Sequence, residues 1–130
     1  MNNGERVCGE WMIKTHSLFY KMPHEPFVIF DLIQTDKKRK RSCFSKIMER
    51  CARYKFITAG LVWEGGAINA REAITRLGSG FHGCQSEPEG VIYRYERNGS
   101  FEMSAKYVSN LNVGGEYLNC EDVYNEWKDW

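Results

Sequence analysis

The stretch EGVIYRYERNGSFEMSAKYV, residues 89–108, constrains the fold more than any other part of the chain. Alternating apolar and polar residues flank Asn98-Gly99, a pair that tolerates the positive φ angles of a type I′ turn, so two antiparallel strands with a two-residue loop are predicted. That turn sets Arg97 against Ser100. Counting outward, it sets Arg94 against Met103, Val91 against Lys106 and Glu89 against Val108. Period-two alternation then puts Glu89, Val91, Tyr93, Ser104 and Lys106 on one side, with Glu89 and Lys106 as diagonal neighbours about 7 Å or less apart at Cβ. Two readings of that pair stay open. It is a surface cross-strand ion pair contributing about 0.2–1 kcal/mol, or two charges that converge on one ligand. A one-residue bulge would send them to opposite faces.

The remaining elements are short and mixed. Phe27 to Ile33 (FVIFDLI) is a continuous apolar run suited to a buried strand, and the basic stretch DKKRKR follows at residues 36–41. Ser42 is placed to cap a helix in which Phe44, Ile47, Met48, Cys51 and Ala52 recur at helical spacing, while Lys46, Glu49, Arg50 and Arg53 face water. Residues 56–64 (FITAGLVWE) read as a second apolar strand closed by Gly65 and Gly66. Asn69 with Glu72 forms an Asn-led capping box, and Gly78 ends the short helix it opens. A last helix is predicted from about Glu121 to Lys128, capped by Asn119, with Val123, Tyr124 and Trp127 turned inward. Strands and helices interleave, yet the strongest strand pair is antiparallel. The fold class is therefore α+β: a largely antiparallel sheet with short flanking helices, in one domain spanning residues 1–130.

Composition limits the function only loosely. Eighteen basic and seventeen acidic residues among 130 nearly cancel, so any attraction for a polyanion has to come from local patches. The N-terminus lacks the apolar core of a signal peptide, and no run approaches the roughly eighteen apolar residues needed to span a bilayer. A soluble, cytoplasmic protein with no membrane partner is expected. The five cysteines are odd in number, dispersed and never in a CxxC pair, which fits reduced, mostly structural thiols. The DKKRKR run is a solvated turn or, in the functional reading, a contact to an RNA backbone whose affinity falls steeply with salt.

The order of the segments adds a resemblance. EGVIYR followed by AKYV resembles motifs IV and V of the covalent nucleotidyltransferases, specifically the ATP-dependent RNA ligases of the phage and RNA-editing type. FVIFDLI resembles their motif IIIa, and CGEWMIKTHSLFYKMP the segment around motif III. The four stretches stand in the family's order, and the likeness extends over roughly residues 5–127. The resemblance implies an ATP/AMP site that uses Mg2+, with RNA as a further partner. It implies that Glu10 contacts the ribose and nucleophile region, Phe30 stacks on adenine, Ile92 lines the base pocket and Arg94 reaches a phosphate. Glu89 would hold the metal or orient the phosphates, and Lys106 would neutralise the α-phosphate as charge builds at phosphorus. Each residue also has a plainer reading: Phe30 and Ile92 as core, Glu10 as a solvated strand position, Arg94 as a surface residue on the hairpin face opposite Glu89.

Two departures from the family pattern stand out. The position two after Lys106, often basic in motif V, is Val108. The KxDG motif, whose lysine forms the lysine-AMP intermediate, does not occur in these 130 residues. Lys14 in KTHS is the nearest approach, but it lies where the family's HS segment belongs, and His16 reads as structural sooner than as a general base. The chain therefore reads as the later part of an adenylyltransferase domain without its nucleophile. It is one piece of a split or truncated ligase unable to self-adenylylate alone, or a non-catalytic nucleotide- or RNA-binding protein, or an interaction protein. In each case a second copy or a partner chain completing the domain is expected to cover its exposed edges.

Overall fold

The computed structural model describes residues 4–15, 18–109 and 123–128. In chain order the elements are β1 (Glu5–Trp11), β2 (Lys21–Met22), β3 (Phe27–Gln34), α1 (Phe44–Tyr54), β4 (Ile57–Thr58), α2 (Ala70–Leu77), β5 (Gly90–Arg97), β6 (Ser100–Val108) and β7 (Glu126–Trp127). The class is α+β, and its two longest strand pairs, β1 with β3 and β5 with β6, are formed by the segments that alternate or run apolar. The chain divides into two compact units. One comprises Met1–Trp11, Phe27–Ala59 and Arg94–Ala105; the other comprises Met12–Pro26, Gly60–Tyr93 and Lys106–Trp130.

The first unit is a three-stranded sheet, ordered β1-β3-β4, with α1 packed on it. β3 pairs antiparallel with β1 and parallel with β4, so the FVIFDLI run is flanked on both edges. Ile29 and Leu32 of β3 meet Ile47 and Cys51 of α1 in the core, with Val7, Phe27 and Phe44 packed around them. Ile47 is 1% exposed, and truncating such a side chain typically costs about 2–5 kcal/mol. Burial also pushes the Cys51 thiol above its ordinary pKa. Arg50 of α1 does not face water as its spacing suggests: it is largely covered and holds the buried Glu5 carboxylate through two guanidinium nitrogens at 2.7 and 3.3 Å. The Glu5 hydrogen bond keeps that guanidinium protonated even more firmly than usual.

Helix α1 begins one residue later than the sequence suggests. Its N-cap is Cys43, whose side chain caps nothing, while Ser42 is buried and spends its backbone N–H on Leu32 O. The free N–H of Phe44 is instead satisfied by Glu96 Oε1 at 2.8 Å, a cap supplied from a remote strand. Met48 is also more exposed than its spacing implies.

In the second unit, β2 and β7 pair in parallel. α2 has the predicted start and stop: Asn69 Oδ1 accepts the Glu72 N–H at 2.9 Å, and Gly78 closes the helix at φ 59°. Two other expectations are corrected. Of residues 56–64 only Ile57–Thr58 is strand; the chain leaves the sheet at Gly60, where the Phe81 ring occupies the space a Cβ would need. The described part of the predicted last helix, residues 123–128, is extended and contains β7. There Asn125 is buried and makes three side-chain bonds: its Oδ1 accepts from Thr15 Oγ1 and Tyr20 N, and its Nδ2 donates to Met12 O. Trp127 and Tyr124 are consequently partly exposed, not turned inward. The predicted cap Asn119 and the helix start at Glu121 lie outside the described residues, as does His16.

The second unit also contains a pair of histidines. His24 Nδ1 lies 2.6 Å from Glu25 O and its Nε2 lies 2.8 Å from His82 Nδ1. A carbonyl only accepts, so His24 carries a proton on Nδ1; with both rings neutral, His82 then donates from Nδ1 to His24 Nε2. His82 Nε2 is then a lone pair, buried and without a partner. Burial, with the neighbouring His24 as a smaller cause, lowers the His82 pKa to about 4.

Candidate functional site

The β5–β6 hairpin turns as predicted, with Asn98 at φ 49° and Gly99 at φ 70°. Its register at the open end differs by one residue from the predicted one. β6 has nine residues to eight in β5, and the Ser109 N–H donates to Glu89 O at 2.8 Å, which opposes Glu89 to Ser109 in place of Val108. The extra residue is accommodated in β6. Gly90 is needed in this arrangement, because a Cβ there would overlap the Tyr107 carbonyl. The slip does not part the two charges: Lys106 Nζ donates to Glu89 Oε1 at 3.0 Å, the long lysine stem covering the offset. Both side chains are about half exposed, at 53% and 41%.

β3 carries a second irregularity. Its pairing with β1 runs Cys8 to Asp31 and then Gly9 to Ile29, so Phe30 has no partner on β1. Val28, Ile29, Asp31 and Leu32 are all buried, whereas Phe30 is 45% exposed. A bulge re-aims the residue it inserts, and here it turns an aromatic ring out of a strand otherwise buried on both faces. Gly9 makes the close approach possible: a Cβ would collide with the Phe27 ring and the Val28 carbonyl. Glu10, the next residue of the GEW segment, is exposed opposite Val28.

Of the six residues singled out by motif, Glu10, Phe30 and Arg94 belong to the first unit, and Glu89, Ile92 and Lys106 to the second. Within the second unit Glu89 and Lys106 meet, and Ile92 is 60% exposed, which separates it from any core role. Arg94 is largely covered. Its Nη2 donates to Ser42 O at 2.8 Å, its Nε lies 3.2 Å from Glu96, its Nη1 lies 3.9 Å from Asp31, and its guanidinium sits 4.7 Å from the centre of the Phe101 ring.

That network was not foreseen. Asp31 is 2% exposed and bound by Arg41 at 2.8 Å as well as by Arg94, and it also accepts the Leu32 N–H. The signal was present in FVIFDLI: a carboxylate within an apolar strand cannot be buried without cationic and hydrogen-bond partners. Their identity could not be read, since they come from residues 41 and 94.

Among the described residues no three His, Cys, Asp or Glu side chains gather as a metal site. Lys14 is exposed, without the desolvated surroundings that make a lysine amine nucleophilic.

The model of the family described as RNA ligase matches residues 1–108. The chain belongs to the RNA ligase family. The match covers all four stretches that carry the motif resemblance and ends at Val108, short of the segment with Trp127 that the sequence reading included. No curated protein and no solved structure matches the chain. Among the described residues no helix is long and apolar enough to cross a membrane.

Proposed function

We propose that this ligase-family chain binds an adenine nucleotide, ATP or AMP, as its adenylyltransferase relatives would, and presents it to RNA ends. The observation that carries the reading is the bulged Phe30, whose ring is held out of a buried strand and offers a face to a base. Stacking on such a face contributes about 1–3 kcal/mol and requires no hydrogen-bonding edge of the base. Glu10, in the same unit as Phe30, serves the ribose; Ile92 is assigned to the base by the motif resemblance alone. Lys106 neutralises the α-phosphate, exchanging its surface partner Glu89 for a phosphate oxygen at little cost, because an exposed ion pair is worth at most about 1 kcal/mol.

Magnesium keeps several waters and is usually held by one or two carboxylates together with substrate phosphates. Glu89 fits that role as a carboxylate at the hairpin base, and the metal would add positive charge at the phosphates. Arg94 acts as a positioning residue, fixing Asp31 and, through Glu96, the start of α1. The 130 residues contain no KxDG sequence, so in this reading the chain alone is expected to form no protein–AMP adduct.

Titration calorimetry with ATP and Mg2+ tests the binding step. Lys106→Ala removes a charge-assisted contact and should weaken binding by about 10- to 100-fold. Absence of binding heat at millimolar nucleotide overturns the reading. Radiolabelled ATP should leave no covalent label on the protein, and a labelled band would place a nucleophile within the chain.

A further inference from the structure

We infer that a groove in the first unit binds the phosphodiester backbone of a single-stranded nucleic acid without reading its bases. The inference rests on the family's action on RNA for the kind of partner, but it concerns residues that none of the motifs include. The groove has a volume of about 930 Å3 and lies between the DKKRKR loop, the start of α1 and the tip of the β5–β6 hairpin. That volume is near the upper end of the range for small-molecule sites, about 300–1,000 Å3, and leaves room for more than one nucleotide.

The charge on its walls is uneven in a specific way. Arg39, Lys40 and Lys46 line it, are exposed, and have no carboxylate within ion-pair distance among the described residues. The fourth cation, Arg41, is already committed to Asp31. Of the two carboxylates on the lining, Glu5 is held by Arg50, which leaves Glu102 as the exposed negative charge against three uncommitted positive ones. The whole chain carries a formal charge of only +1, so this local excess is the kind of patch that the composition by itself could not supply.

The loop that bears these cations is also fixed. Asp36 Oδ1 accepts the N–H groups of Lys38 and Arg39 at 3.0 and 3.1 Å, the Gln34 N–H donates to Lys40 O at 2.8 Å, and Arg41 bridges back to Ile33. Less backbone ordering is therefore left to occur on binding. The aromatic side chain in the groove does not invite a base. Phe101 already carries two guanidiniums over its ring, Arg41 at 5.1 Å and Arg94 at 4.7 Å from its centre. Free charges beside a ring already engaged by two guanidiniums recognise phosphates and leave the base sequence unread.

The test uses the full chain and fluorescein-labelled twelve-nucleotide single strands, U-only and A-only RNA and T-only DNA, followed by anisotropy over a salt series. Three phosphate contacts predict a slope of log affinity against log salt of about −2 for a single strand. The triple variant Arg39→Gln, Lys40→Gln, Lys46→Gln keeps the side-chain stems and should lose about tenfold or more at low salt, with the slope reduced toward zero. Lys46→Glu alone, on the exposed face of α1, should weaken binding in the same direction. Circular dichroism of both variants should match the parent. RNA and DNA should bind within about threefold of each other, and U within threefold of A.

Absence of oligonucleotide binding at 100 µM protein, unchanged affinity in the triple variant, or a base preference above tenfold would each overturn the inference. Calorimetry with ATP separates it from the nucleotide reading. The triple variant should bind ATP as the parent does, and loss of ATP binding in the parent with oligonucleotide binding retained would sink that reading while leaving this groove standing.

Discussion

Acid should destabilise this protein through one partly buried histidine. In the neutral pair His82 donates from Nδ1 to His24, and its Nε2 is buried without a partner, so a proton added there enters a site with no acceptor. Its pKa is lowered from 6.5 to about 4, first by burial and then by His24. The unfolded chain takes up this proton as the pH falls through about 6.5, but the folded chain resists until about 4. The contribution to stability is therefore fully present above about 6.5, declines as the pH falls, and is gone once the pH has passed through about 4. The drop from 6.5 to 4 sets a ceiling of about 3.4 kcal/mol. His82 is only partly buried, and solvent screening reduces this to about 1–2 kcal/mol.

Urea unfolding followed by tryptophan fluorescence at pH 7.5 and pH 4.5 measures the loss. Carboxylates titrate over the same interval, so His82→Asn isolates the histidine. The Asn side chain can still donate to His24 Nε2 and tolerates the positive φ of 62° at this position, but does not titrate. The variant should lose about 1–2 kcal/mol less than the parent between the two pH values. Equal losses in the two proteins, or a His82 resonance that titrates near 6.5, would refute the reasoning.

Asp31→Ala should cost about 3–5 kcal/mol in the same unfolding assay, because Arg41 and the largely covered Arg94 lose their shared carboxylate; a loss under about 1 kcal/mol would mean that the network is incidental. Phe30→Ala should behave in the opposite way. Its ring stands outside the core, so stability should change by less than about 1 kcal/mol, whereas nucleotide affinity should fall by about 1–3 kcal/mol as a stacking partner is removed. A destabilised variant with unaltered nucleotide affinity would return Phe30 to a packing role.

Local chemistry made much of the fold legible. Asn98-Gly99 can turn a chain in one way well, and both residues adopt the positive φ that this requires. Asn69, Glu72 and Gly78 delimit α2 because a cap is satisfied within a few residues of sequence. The spacing of Ile47 and Cys51 marked the buried stripe of α1. The failures share a cause. FITAGLVWE has the composition of a strand, but a strand needs an edge to pair with, and Phe81 fills the space at Gly60 where pairing stops. The last segment has helical spacing, yet Asn125 finds three partners from residues 12, 15 and 20, and the backbone bonds of Glu126 and Lys128 go to Tyr20 and Met22. Long-range partners outweighed a weak local preference.

For the candidate site the division is the same. The order of GEW, FVIFDLI, EGVIYR and AKYV pointed to the RNA ligase family, and the match over residues 1–108 establishes it. Which residues are free to act is not a property of any motif. Arg94, Arg41 and Asp31 are bound into the fabric of the first unit, and Phe30 is released from it by one residue of slip against β1. The sequence by itself determined the hairpin turn, the ends of α2, the Ile47 and Cys51 stripe of α1 and the family, because each depends on residue types at short, fixed spacing. Only the tertiary structure decided which charges neutralise each other and which aromatic ring is exposed, because those depend on which distant residues the sheet brings within about 4 Å.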